Sequence, residues 1–206
     1  MAYCGAVSPL TWRHRRGCGP LRHRLGLTAG PFRCILGNMK PRTERPDWDT
    51  YFMAIARVVA TRGNCLRRQV AAVIVLDRRI ISTGYNGTPR GVKNCYEGGC
   101  PRCASDAASG ANLGDCICSH AEENAVTQAA YHGIALKGAT LYCTLSPCLL
   151  CARMIVNAGL REVVYAGEYE FNRQTRALLK QAGVKCRKVT AQAPARAGRA
   201  RRSPTP

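Results

Sequence analysis

The chain has 206 residues, 46% of them hydrophobic, which suits one ordinary domain with tails and leaves enough apolar material for a core. Its longest apolar runs, such as Val70–Leu76, fall far short of the roughly 20 residues that span a bilayer, so neither an integral membrane protein nor a membrane partner is expected. The formal charge of +19 comes from 31 Lys and Arg against 12 Asp and Glu, and it sits mainly at the ends: residues 1–38 and 185–206 contain no acid at all.

Residues 1–38 carry Trp12-Arg13-His14-Arg15-Arg16 and Leu21-Arg22-His23-Arg24 among scattered Gly and Pro, without the apolar stretch of a secretory signal. They read as a basic N-terminal extension, either a disordered arm or sequence lying ahead of a true start at Met39. A transit peptide is the third reading; the Arg-rich, acid-free composition fits it and the scarcity of Ser does not. The folded domain is expected over 39–190. The tail, 191–206, reads as basic disorder that attracts nucleic acid only non-specifically.

Within the domain, Pro46-Asp47 followed by Trp48, Phe52, Ile55, Val58 and Val59 gives an N-cap and apolar residues at helical spacing, predicting a helix that ends near Gly63. Val70–Leu76, a turn at Asp77-Arg78-Arg79, and Ile80–Thr83 predict a hairpin containing a buried strand. Residues 86–118 have no usable periodicity, and a loop that long needs a function or an internal clamp. Beyond it come a helix over 120–132, a strand over 139–144, a helix over 148–158, a strand over 162–166, a helix over 172–181 and a strand over 184–189. Gly133, Gly159 and Gly183 fall just past the three helices, where a left-handed cap is wanted. Strand–helix–strand repetition implies parallel pairing, and with the hairpin it predicts an α/β fold: a mixed five-stranded sheet covered by helices.

Thirteen cysteines are many, and an odd number argues against a complete set of disulfides. Ten lie between Cys65 and Cys186, most at short spacings. In a chain without a secretion signal such pairs read as metal ligands, which places the protein in a reducing compartment, the cytoplasm. Two fragments carry chemistry. His120-Ala121-Glu122-Glu123-Asn124-Ala125 opens one helix and Ser146-Pro147-Cys148-Leu149-Leu150-Cys151 opens another. Cys148 and Cys151, three apart, share one side of the first turn, whose unpaired N–H groups favour thiolates. With His120 they make three ligands for zinc and leave one tetrahedral position open, as in a catalytic site. Zinc lowers the pKa of bound water towards about 7, making hydroxide available at neutral pH. Glu122 is close enough to shuttle protons without being a ligand. The two cysteines alone would suit a zinc-ribbon corner or a redox pair; the added His-x-Glu disfavours both.

H-x-E…P-C-x-x-C is the pattern of the zinc deaminases. At these residues the chain resembles the cytidine/deoxycytidylate deaminase superfamily, and most of all its deoxycytidylate branch. Gly84-Tyr85-Asn86-Gly87, HAEENA at 120–125, SPCLLCAR at 146–153 and Asn157-Ala158-Gly159-Leu160 carry that likeness, which covers about 47–189. The resemblance implies a three-layer cytidine-deaminase-like fold and hydrolysis of dCMP, a small nucleotide, to dUMP and ammonia. In that mechanism a zinc-bound hydroxide attacks and Glu122 is the catalytic proton carrier. It also implies substrate-binding roles for Asn86 at the sugar, Arg67 at the phosphate (with Arg68 as competitor) and Tyr169 near the nucleotide. Glu123 is assigned instead to the helix face, where it helps to hold the active-site loops. A second, structural zinc is implied on Cys65, Cys95 and Cys118, with one of Cys100, Cys103 or Cys116 replacing the relatives' histidine. Cys100 and Cys103 could equally join Cys116 and Cys118. Relatives of the branch further imply a homo-oligomer regulated by dCTP and dTTP.

Three other readings stay open. A tRNA adenosine deaminase shares the zinc constellation, and a free cytidine deaminase is a further enzyme alternative. A zinc-stabilised nucleic-acid-binding module would account for the basic tails but leaves Glu122 without a purpose.

Overall fold

A computed structural model of the chain describes residues 45–108, 111–168 and 173–190. The expectations for residues 1–38, for residues 191–206 and for Tyr169 lie outside them. Helix α1 (Trp48–Ala60) starts where Asp47 accepts a hydrogen bond from the Thr50 N–H at 2.7 Å, the N-cap that the sequence signals. It ends as an α-helix three residues before Gly63. The stretch between tapers through tighter bonds from the Thr61, Arg62 and Gly63 N–H groups to the carbonyls three residues back.

Strands β1 (Ala71–Leu76) and β2 (Arg79–Tyr85) form the expected hairpin. Its two-residue turn puts Asp77 and Arg78 at φ of 49° and 62°, a left-handed pair whose twist matches that of the strands. The Arg78 guanidinium lies 5.2 Å from the centre of the Trp48 ring, so the turn is held against α1. The long segment after β2 is not featureless. It contains the one-turn helix α2 (Pro101–Ala104) and tight single turns at Cys95–Glu97 and Leu113–Asp115. These are too short to leave a periodic signature in the sequence.

Helix α3 (Ala121–Tyr131), strand β3 (Thr140–Leu145), helix α4 (Leu149–Asn157), strand β4 (Glu162–Gly167), helix α5 (Arg173–Gln181) and strand β5 (Lys185–Lys188) follow in the expected alternation. Gly133, Gly159 and Gly183 take φ of 65°, 74° and 71° behind their helices, the left-handed caps that only glycine enters without strain. The sheet runs β2-β1-β3-β4-β5. β1 is antiparallel to both neighbours, whereas β3, β4 and β5 pair in parallel.

Alternating strand residues separate the core into two layers. On one face Phe52, Met53 and Ala56 of α1 meet Val73, Val75, Tyr142 and Val164. On the other, Ala72, Ile74, Leu141, Val163 and Tyr165 meet Ala121, Ala125 and Ala129 of α3, Ala152 and Ile155 of α4 and Leu179 of α5. The result is three layers, with the sheet between α1 and the other long helices. Each fully buried Leu, Ile, Val or Phe contributes about 1.5–3 kcal/mol, so this double core outweighs any single polar contact.

Small residues set the spacing between α3 and the sheet. Gly84 faces the helix so closely that a Cβ there would lie 2.2 Å from the Ala121 carbonyl oxygen and 2.3 Å from the Ala125 nitrogen. Beside it, the buried Ser82 hydroxyl donates to the Ala125 carbonyl at 2.6 Å. A polar clasp joins α1 to the far strands. Arg187 donates to both carboxylate oxygens of Asp49 and, at 2.8 Å, to Glu162, while the Tyr142 hydroxyl donates to Asp49 at 2.9 Å. Arg187 holds the Asp49 carboxyl below its ordinary value. No helix among the described residues is long and apolar enough to cross a membrane.

Candidate active site

The starts of α3 and α4 meet. His120 is the N-cap residue of α3 and Cys148 that of α4, with Cys151 in the α4 first turn. His120 Nδ1 lies 3.4 Å from Cys148 Sγ and 3.4 Å from Cys151 Sγ. One tetrahedral zinc with bonds of about 2.0–2.1 Å to nitrogen and 2.3 Å to sulfur sets such an N–S edge at about 3.6 Å. The donors, all within 4.8 Å of one another, therefore fit that ion in number, kind and spacing. Cys151 is buried and Cys148 half-buried, while His120 is exposed, so the site opens on the His120 side.

Glu122 lies beside Cys151. The residue is 5% exposed and one carboxylate oxygen is 3.7 Å from Cys151 Sγ. Burial pushes this carboxyl up to about 7, against the opposing pull of its own backbone N–H and of His120. The hydrogen bond from Cys151, followed by His120, draws the Cys148 thiol down to about 4. The same Cys148 contact pushes His120 up to about 9, while Cys151 is held well above the ordinary thiol range.

Glu123 turns the other way. Its carboxylate accepts the His120 N–H at 3.1 Å and so caps α3, the helix that His120 begins. Asn124 donates to the Tyr85 carbonyl at 2.8 Å, tying α3 to the end of β2. Two backbone bonds, of 3.2 and 2.9 Å, pair Gly87 with Ser119 immediately before His120. Asn124 was missed by sequence reasoning, and so was Asn64. The Asn64 side chain accepts from the Thr88 N–H at 3.1 Å and donates to Asn94 at 2.9 Å, joining the end of α1, the Asn86 turn and the cysteine loop. Only its place between Gly63 and Cys65 hinted at this.

The Asn86 side chain spans the chain entering β1. It accepts from the Val70 N–H and donates to the Arg68 carbonyl, each at 2.9 Å. The Arg67 guanidinium reaches the cysteine loop, donating to the carbonyls of Cys103, at 2.9 Å, and Ser105. Cys65, from the connection between α1 and β1, joins Cys95, Cys103 and Cys118 of that loop in one group of four mutually close sulfurs, and Cys100, Cys103, Cys116 and Cys118 form another. All ten cysteines among the described residues are unbridged.

A His and two Cys at paired helix starts, with a carboxylate beside them, make up the pattern of the zinc deaminases. Residues 46–167 match the family described as the cytidine and deoxycytidylate deaminase zinc-binding region, and the chain belongs to that family. Deoxycytidylate deaminase of Schizosaccharomyces pombe is 48% identical over 149 residues, covering 72% of this chain and 46% of that protein. The chain thus spans about half the length of this fungal relative. Deoxycytidylate deaminase of Mycobacterium phage D29 is 44% identical over 131 residues, covering 60% of this chain and 98% of its own. The crystal structure of dCMP deaminase from the cyanophage S-TIM5, in complex with dCMP and dUMP, aligns with a TM-score of 0.59 at 32% identity. It covers 71% of this chain and 99% of the cyanophage chain.

Proposed function

We propose that the chain hydrolyses dCMP to dUMP and ammonia. Glu122 carries the reading: a buried carboxylate 3.7 Å from one sulfur of the three-donor site, placed beside the site rather than within its donor set. The substrate follows from the relatives, two of them named deoxycytidylate deaminases and a third crystallised with dCMP and dUMP. His120, Cys148 and Cys151 would hold zinc, which would supply Lewis acidity and bring the pKa of water towards about 7. Glu122 takes a proton from the attacking water, delivers it to the ring nitrogen N3 and passes a second to the departing amine. Atoms balance as dCMP and water in, dUMP and ammonia out.

Asn86, fixed by its two backbone bonds, is assigned to the sugar, and the family resemblance assigns Tyr169 to the nucleotide. Arg67 is assigned to the phosphate through Nη1, since its Nε and Nη2 are engaged by the loop carbonyls. A further metal in the cysteine loop, a homo-oligomeric state, regulation by dCTP and dTTP and a cytoplasmic location belong to the same proposal.

The test is ammonia release by the full chain from dCMP, CMP, deoxycytidine, dCTP and a tRNA anticodon stem. We expect dCMP to be preferred. Binding energy from the remote phosphate positions the ring, so deoxycytidine should show a lower kcat as well as a higher KM. Deoxycytidine turned over as well as dCMP removes the mononucleotide assignment and leaves the deaminase class standing.

A further inference from the structure

The geometry points to a binuclear metal–thiolate cluster in the loop: six cysteines holding two divalent cations, with Cys103 and Cys118 each bound to both. It rests on the loop holding metal at all, and it goes beyond a single structural ion. Two groups of four mutually close sulfurs lie side by side, and each is a complete ligand set for one tetrahedral ion. They have Cys103 and Cys118 in common. Two four-coordinate ions call for eight sulfur positions. Six cysteines fill them when two sulfurs are shared, and two are.

The separations agree. Cys65 and Cys103 are 3.8 Å apart, Cys100 and Cys116 3.8 Å, and Cys103 and Cys116 3.7 Å. An ion with Zn–S bonds of about 2.3 Å holds neighbouring sulfurs about 3.8 Å apart, whereas a disulfide needs about 2.05 Å. The separations thus match edges of coordination tetrahedra, and no pair is at bonding distance. A single ion on Cys65, Cys95, Cys103 and Cys118 would strand Cys100 and Cys116 as thiols at that same spacing.

Polarity also fits. The six thiols release six protons to solvent, and six thiolates around two divalent cations leave two net negative charges. Backbone N–H groups are aimed at three of the four sulfurs that would bind one ion only: Leu66 at Cys95, at 3.4 Å, Arg67 and Arg68 at Cys65, and Cys103 and Ile117 at Cys100. Arg67 adds its guanidinium to the carbonyls of Cys103 and Ser105, next to a shared sulfur. The all-sulfur set and its burial, with Cys95, Cys100, Cys103 and Cys118 all below a tenth exposed, select zinc or another thiophilic divalent ion over magnesium or calcium.

The test counts ions in the full chain, purified under reducing conditions, by native mass spectrometry and metal analysis. The expected result is three zinc per chain, one of them at His120, falling to two in C116S. After exchange with cadmium-113, NMR should show two all-sulfur resonances coupled to each other through the shared thiolates. These measurements on the intact chain stand even if C116S fails to fold. One all-sulfur resonance, with Cys100 and Cys116 alkylated by iodoacetamide in the native protein, overturns the cluster and leaves a single loop metal. No all-sulfur resonance overturns both. Iron with acid-labile sulfide in the loop also overturns it, because sulfide would then do the bridging.

Discussion

Replacing Gly84 with alanine tests whether the bare backbone of β2 sets the height of α3, the helix that begins at the candidate site. The added Cβ would sit 2.2 Å from the Ala121 oxygen, 2.3 Å from the Ala125 nitrogen and 2.9 Å from the Ala125 Cα, all backbone atoms that cannot rotate away. Ordinary contact begins at about 3.4 Å, so the first turn of α3 must rise by about 1 Å or more. Overpacking of this kind costs about 1–3 kcal/mol. The same turn carries Glu122 and follows directly on His120, and a 1 Å misplacement of reacting groups costs about 100-fold in rate. G84A should therefore lose both stability, read by urea unfolding, and kcat for dCMP, read by ammonia release. A variant with wild-type kcat would refute the claim that this contact sets the site, whatever its stability.

Two further predictions concern separate parts of the molecule. E122Q should keep its zinc at His120, Cys148 and Cys151 while kcat falls by about 10²- to 10⁴-fold, read by metal analysis beside the activity assay; turnover near wild type removes Glu122 from the chemistry. D49N should lower stability at pH 7 by about 1 kcal/mol, a modest figure because the ion pair with Arg187 is partly exposed, side-chain exposures being 32% and 41%. Since Arg187 holds the folded-state pKa of Asp49 below its ordinary 3.8, the stabilisation is present above that value and fades as pH falls through the lowered one. The gap between wild type and D49N in urea unfolding should thus close in acid, and a gap unchanged from pH 7 to pH 3 counts against the clasp.

His120, Glu122, Cys148 and Cys151 were legible because each half of the site is a contiguous motif at a helix start, where local sequence dictates local geometry. The order of helices and strands was legible for a similar reason, since its periodicities are local. The linking residues were not. Asn64, Asn124 and Arg67 act through backbone groups 20 to 40 residues away, and nothing in their flanking sequence marks those partners. The cysteine loop shows the limit most clearly. The family resemblance set Cys118, with Cys103 as one of three candidates, beside Cys65 and Cys95, and Cys100 and Cys103 could equally join Cys116 and Cys118; a side chain that serves both groups at once has no signature in the sequence.

The pairing of Gly87 with Ser119 closes the segment between them into a ring of about thirty residues whose two ends are pinned beside the Asn86 turn and His120. Closure entropy grows only with the logarithm of length, so lengthening such a ring from about 30 to 40 residues costs about 0.3 kcal/mol. Residues inserted at 105–108, between Cys103 and Cys116, would enlarge the ring without moving its base. This architecture lets the segment vary in length and sequence along its outer arc while His120 stays in register with the sheet.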